Sequence, residues 1–227
     1  MLFRSLRGHW AAVGLHIDPA ADRARRLAGL LRALGESLPS AHAHHTEWLS
    51  FAQRWAELTV LQHQVGQATA AEGLHDLERE VDARFLTWAL ARYGGLHNQP
   101  PQPPVMVHHV ARAMAHGIEA APHRRAALVV LDGCALDQWA VLRAVLVRQR
   151  PRLVLREGAL FAWLPTITAV SRQAAFAGRP PLYFPDSLHT TDREPALWQQ
   201  FWADRGLSAA EVVYARGLGD GSSLQTV

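Results

Sequence analysis

Two short stretches of this sequence combine the residue types that phosphoryl or metal chemistry needs. The first is Leu128-Val129-Val130-Leu131-Asp132-Gly133, an apolar run ending in a carboxylate and a glycine. Open parallel sheets bind ligands outside the carboxyl ends of their strands. An Asp in that place can reach a metal while the glycine lets the backbone turn sharply. Read alone, an Asp-Gly after a strand more often marks a plain turn. The second is Leu164-Pro165-Thr166-Ile167-Thr168-Ala169-Val170-Ser171-Arg172, which places two hydroxyls between a strand pattern and a helix pattern. A hydroxyl at a helix N-terminus lies near unpaired N–H groups and the positive end of the helix dipole, and both favour a phosphate and an alkoxide. The same position suits a Thr that only caps the helix, and this segment leaves the two readings even. A third set, His108, His109 and His116, matches no zinc spacing such as His-Glu-x-x-His and reads as surface histidines of an amphipathic helix.

The elements that must position these residues follow from periodicity. Asp18-Pro19 is a helix start signal, with Leu27, Leu30, Leu31 and Leu34 at helical spacing and Gly35 as C-cap. A second helix is expected over about 46–67 with Trp48, Phe51, Trp55 and Leu58 as its stripe. A third is expected over about 72–93, with Leu74, Leu77, Val81, Phe85 and Trp88 on one face. The stretch His97 to Pro104 holds four prolines and reads as a linker. A short helix over about 105–118 follows. From there the pattern changes: Ala126–Leu131 reads as a buried parallel strand, 137–148 as a helix, and 152–156 and 160–164 as short strands. A further helix ends near Gly178, another runs from a cap at Asp192 to Gly206, and Val212-Val213-Tyr214 is strand-like after the capping-box pattern at Ser208. Strands alternating with helices predict an α/β domain. The expected organisation is a helical region over 1–104 ending in the linker, then an α/β domain over 105–227.

Composition narrows the function classes. With 227 residues and 49% hydrophobic residues the chain can bury a core. No apolar run approaches the ~18 residues of a membrane span, and the segment up to His16 lacks an apolar signal core. A cytoplasmic protein is expected. The single Cys134 excludes an intrachain disulfide and any Cys-based zinc site. All 23 basic residues are arginine and the formal net charge is only +3, so the basic residues are read as solvated faces rather than a nucleic-acid surface.

Taken together, the two stretches resemble the alkaline phosphatase superfamily, and within it the PglZ proteins, phosphatase-like components of BREX phage-defence systems. The residues that carry the resemblance run from Val130 through Asp132-Gly133 to Trp139 and from Leu164 through Pro165-Thr166-Ile167-Thr168 to Gly178. Later, Glu194-Pro195-Ala196-Leu197-Trp198-Gln199-Gln200-Phe201-Trp202 and Val213-Tyr214-Ala215-Arg216-Gly217 are also similar. It covers about Ala126 to Val227, and the first half looks like the region that precedes a PglZ domain.

The resemblance implies an α/β fold with a partial alkaline-phosphatase-like sheet. It implies that Asp132 ligates one of two divalent metals, usually zinc. Thr168 would be the nucleophile and a metal ligand, Thr166 would help shape the turn and bind substrate, and Arg172 would touch substrate phosphate. Two metals clamp the attacking and leaving oxygens of an in-line displacement, and a Thr hydroxyl is a poor nucleophile without such help. The superfamily completes its metals with further Asp and His, including an Asp-His pair near a later strand. Beyond Thr168 the Asp and His residues are Asp186, His189, Asp192, Asp204 and Asp220, and none forms such a pair. Zinc needs three or four ligands, so an incomplete phosphatase or phosphodiesterase domain is expected, ending in the loop-like Gly219–Val227. The alternative is an inactive subunit that docks other defence proteins through its helical half, although Trp48, Trp55 and Trp88 read more readily as core. Expected partners are other BREX proteins and a phosphate-ester substrate, with little support for nucleic acid and none for a membrane.

Overall fold

The helical periodicity of the first half becomes three helices in the computed structural model, which describes residues 19–66, 73–120 and 125–217. The Asp18 start signal, the segment up to His16 and the Gly219–Val227 stretch lie outside the described residues. Helix α1 spans Pro19–Glu36, α2 His45–Val65 and α3 Leu74–Arg92. Gly35 lies inside α1 rather than capping it. The chain forms two compact units. One comprises residues up to Ala91 together with Cys134–Glu157; the other comprises Arg92–Gly133 and the chain from Gly158 on.

In the first unit the aromatic stripes meet. Leu27, Leu34, Trp48, Phe51, Leu58, Leu61, Leu77 and Trp88 are buried. Trp48 sits with its ring centroid 5.9 Å from Phe51, 5.1 Å from Phe85 and 5.9 Å from Trp88, edge-on or tilted as ring quadrupoles prefer. The buried Trp88 indole N–H donates to the Ala43 carbonyl at 2.9 Å, so its polar atom is satisfied. Trp48 and Trp88 are therefore core, and Trp55 is half-buried against Phe51. Helix α5 belongs to the same unit; it spans Leu136–Gln149 and packs on α2. Glu157 ties it down by accepting from Arg143 at 2.9 Å and from the Trp139 indole at 3.4 Å.

The second unit is built on α4 (His109–Glu119), α6 (Thr168–Ala177) and α7 (Glu194–Ala203). Its main cluster is Ala111, Ala115, Phe176, Trp198, Phe201, Trp202 and Val212. Small residues on α4 and α6 let the aromatics of α7 approach closely. The tightest point is Gly178, which ends α6 in the left-handed region at φ 59°; a Cβ there would lie 2.4 Å from the Phe201 ring. Glycine is required on both counts.

The expected α/β fold with a partial sheet is overturned. Among the described residues there is no strand and no sheet, only one isolated parallel bridge between Met106 and Phe161. There the Val107 N–H donates to the Phe161 carbonyl (2.9 Å) and the Phe161 N–H to the Val105 carbonyl (2.8 Å). The runs at 126–131, 152–156, 160–164 and 212–214 have strand composition but form no ladder. A parallel strand persists only where neighbours pair with its backbone and cover both faces. In the second unit the helices already fill the core, and from the first run only Leu128 packs against it. Val129 and Leu131 stay 67% and 53% exposed. Asp192, expected as the cap of α7, instead precedes the cap residue Arg193 and hydrogen-bonds Thr190.

The surface reading of His108 and His109 is also overturned: both are fully buried. The His109 Nδ1 accepts the N–H groups of Val105 and Met106 at 3.2 Å each, a role that requires it unprotonated. Its ring lies 4.1 Å from that of His108, whose two nitrogens find no hydrogen-bond partner of good geometry. His116 remains exposed near Glu119. Burial, with the adjacent His109 adding to it and the His97 backbone opposing it, lowers the His108 pKa to about 4; burial also lowers that of His109. The unfolded chain titrates near ~6.5 and so binds more protons than the folded chain between these values. Stability is thus complete above ~6.5 and falls as pH drops towards the folded value. His108→Phe removes one such group, and urea midpoints measured from pH 7.5 to pH 5 are expected to fall less steeply in this variant than in the wild type. Equal slopes contradict this account of His108.

Candidate functional site

Helix α6 begins without a side-chain cap. Ile167 occupies the N-cap position with extended backbone (φ −82°, ψ 130°), and Thr168 is the first helical residue. The Thr168 hydroxyl therefore faces outward from the helix start towards Asp132, with Oγ1 3.5 Å from Oδ1, the outer limit of a hydrogen bond. Arg172 follows one turn later on the same face, as residues four apart must. Its Nη1 lies 3.6 Å from the Asp132 Oδ2. Asp132, Thr168 and Arg172 thus meet at one corner of the second unit. Thr166 does not join them; it is exposed in the turn before the helix.

The firm attachment of Arg172 lies on its other side. Its Nε and Nη2 donate in parallel to the two oxygens of Glu194 at 2.9 and 2.7 Å. Glu194 is fully buried in the first turn of α7, where a negative charge suits the helix dipole. Its Oε2 also accepts the Tyr214 hydroxyl at 2.5 Å, and Arg216 Nε donates to that hydroxyl at 3.0 Å. Arg216 also donates through Nη2 to the Thr191 carbonyl. The bond to Glu194 raises the Arg172 pKa above its already high ordinary value, so the guanidinium is permanently charged. Burial, then the bond to Glu194, raises the Tyr214 phenol, so it stays a donor.

Gln173, fully buried beside Arg172, fixes the loop that leads into α7. Its Nε2 contacts the carbonyls of Ala169, Ser187 and Thr190 at 3.1, 2.6 and 2.8 Å, and its Oε1 accepts the Ser187 hydroxyl at 2.7 Å. Glu194, Tyr214 and Gln173 receive no role from the sequence. Each lies in a stretch that carries the family resemblance, and beyond that the local signal was an acid at a helix start next to Pro195, which is too common to single out.

The donor set does not fit a two-metal centre. Asp132 and Thr168 offer one carboxylate and one hydroxyl. The oxygens of Glu194 are taken up by Arg172 and Tyr214. The guanidinium of Arg172 lies between the two carboxylates. Among the described residues no group of three or more His, Cys, Asp or Glu side chains is placed to hold a metal ion, and none of the described helices is long and apolar enough to cross a membrane.

Comparison with known proteins gives one match. The PglZ family, the BREX system PglZ alkaline phosphatase-like domain, matches residues 110–224, just over half of the chain, and the chain belongs to that family. No curated protein and no solved structure matches. The matched span includes Asp132, Thr168, Arg172, Glu194 and Tyr214.

Two oxygen donors bind zinc weakly, since tight sites use three or four. Mixed with one equivalent of zinc already held by a chromophoric chelator, the chain is expected to leave the chelator's absorbance unchanged. Stoichiometric withdrawal of the zinc contradicts the donor count given above.

Proposed function

We propose that this chain carries the phosphoester-recognising corner of a BREX alkaline-phosphatase-like domain of the phosphatase or phosphodiesterase type. The observation that supports it is register: Thr168 and Arg172, one helical turn apart, both face Asp132. In this reading Arg172 binds a phosphate oxygen, and Thr166, exposed in the adjoining turn, binds the rest of the substrate. Thr168 is the nucleophile. Its oxygen forms the new bond to phosphorus while the ester oxygen leaves with a proton from solvent, and Asp132 is the nearest group to accept the hydroxyl proton. Zinc is the metal proposed for the complete site, with Asp132 and Thr168 among its ligands. The described residues supply too few donors, so turnover needs donors from beyond them. The domain proposed to do this is 105–227, in a cytoplasmic protein whose partners are other BREX components.

The same shortage of donors favours a second reading, a catalytically inactive subunit that docks other BREX proteins through its helical half. Helix α3 presents Leu86 and Leu90 at 60% and 82% exposure, a surface suited to such docking.

One experiment separates the two. The BREX complex containing this chain is assayed with zinc for release of nitrophenol from a nitrophenyl phosphodiester. The hydrolase reading expects turnover that Thr168→Ala lowers ~1,000-fold or more, as loss of a nucleophile does. Equal rates in wild type and variant contradict the assignment of Thr168. The docking reading instead expects no turnover, together with loss of co-purification in Leu86→Glu/Leu90→Glu.

A further inference from the structure

A guanidinium offers its donors along two edges and a tip in a rigid plane. In Arg172 the edge made by Nε and Nη2 is wholly engaged by Glu194. That leaves the second N–H of Nη2 and both N–H groups of Nη1, and Nη1 is the atom turned on Asp132, beside Thr168. The direction of Nη1 is therefore set by the residues behind it.

Those residues are unusually fixed. Glu194 has no solvent exposure, and a buried carboxylate has to keep its partners or bear a large desolvation cost. The Tyr214 hydroxyl supplies a further charge-assisted bond to the same carboxylate, and Arg216 holds the Tyr214 oxygen in turn. Arg172 is a long, rotamer-rich side chain, yet here it is immobilised before any ligand arrives, which is what preorganised recognition requires. By contrast its contact with Asp132 is loose, at 3.6 Å, and can be exchanged for a phosphate oxygen.

We infer that Glu194 and Tyr214 are positioning residues for phosphate recognition, holding Arg172 with Nη1, the nitrogen that does not bond Glu194, aimed into the corner formed by Asp132 and Thr168. The inference rests on the phosphoester reading of that corner and adds the two residues that make its cation effective.

Titration calorimetry of the full chain with inorganic phosphate tests it. The wild type is expected to bind, and Arg172→Ala to weaken binding at least ~10-fold, the usual scale for a hydrogen bond to a charged group. Glu194→Gln is expected to weaken it ~10-fold, and Tyr214→Phe, the milder change, ~3-fold. In both positioning variants the stoichiometry stays at the wild-type value, because the site is present but misdirected. A purely structural role behaves differently. It lowers the stoichiometry in proportion to the unfolded fraction and leaves the Kd of the folded remainder at the wild-type value, and that result overturns the positioning role. Wild-type Kd in both variants alongside loss in Arg172→Ala also overturns it, while the phosphate reading stands. No binding by the wild type, or unchanged binding by Arg172→Ala, overturns the phosphate reading and the inference with it.

Discussion

The second unit depends on one buried ion pair. Glu194 is a carboxylate with no access to water, and it is compatible with folding only because Arg172 meets both of its oxygens and Tyr214 donates to one of them. The pair joins the middle of α6 to the start of α7. Once that junction is set, Phe176 can lie edge-on against Trp198, and Trp198 against Trp202. Gln173, the neighbour of Arg172, then collects the carbonyls of the intervening loop. The polar network and the aromatic cluster therefore fix the same two helices one turn apart along the facing sides of both. Because the ion pair uses only one edge of the guanidinium, the remaining nitrogen is available to chemistry at Asp132 and Thr168.

The groups of the corner differ in how firmly they are held. Thr168 and Arg172 belong to one helix and are anchored by its backbone hydrogen bonds. Asp132 follows a segment without regular secondary structure, whose apolar side chains are largely exposed and whose backbone joins no ladder. Exposed apolar chain with unpaired backbone groups is a template for pairing with another strand. The two contacts that tie Asp132 to α6 are loose, at 3.5 and 3.6 Å. Membership of the PglZ family brings the alkaline-phosphatase-like label to a helix-rich arrangement in which an arginine stands between two carboxylates.

The sequence made parts of this legible for identifiable reasons. Helices α1, α2 and α3 were readable because Leu27, Leu34, Trp48, Phe51, Leu77 and Trp88 recur at helical spacing, and such spacing predicts one buried face. Asp132, Thr168 and Arg172 were readable because they sit in short motifs at element ends. The sheet was misread because Leu128–Leu131 reports only that the segment is apolar and strand-forming; pairing depends on neighbours that the pattern does not contain. The partners of Arg172 were hidden because Glu194 lies 22 residues away and Tyr214 lies 20 beyond that, distances that only packing closes. His108 and His109 were misplaced because a polar residue at a helix start defaults to the surface, and nothing local shows that the chain around Val105 and Met106 folds over them.

The most direct test of the central pair is a stability cycle on Arg172 and Glu194, read as chemical unfolding free energies. Removing one member of a buried pair leaves a charge unpaired and typically costs ~3–5 kcal/mol, whereas replacing both with apolar residues is often near neutral. Glu194→Leu and Arg172→Met are each predicted to be strongly destabilising, and the double variant to recover most of the loss. Single variants that each cost under ~1 kcal/mol and simply add in the double would contradict the claim that this interaction organises the unit.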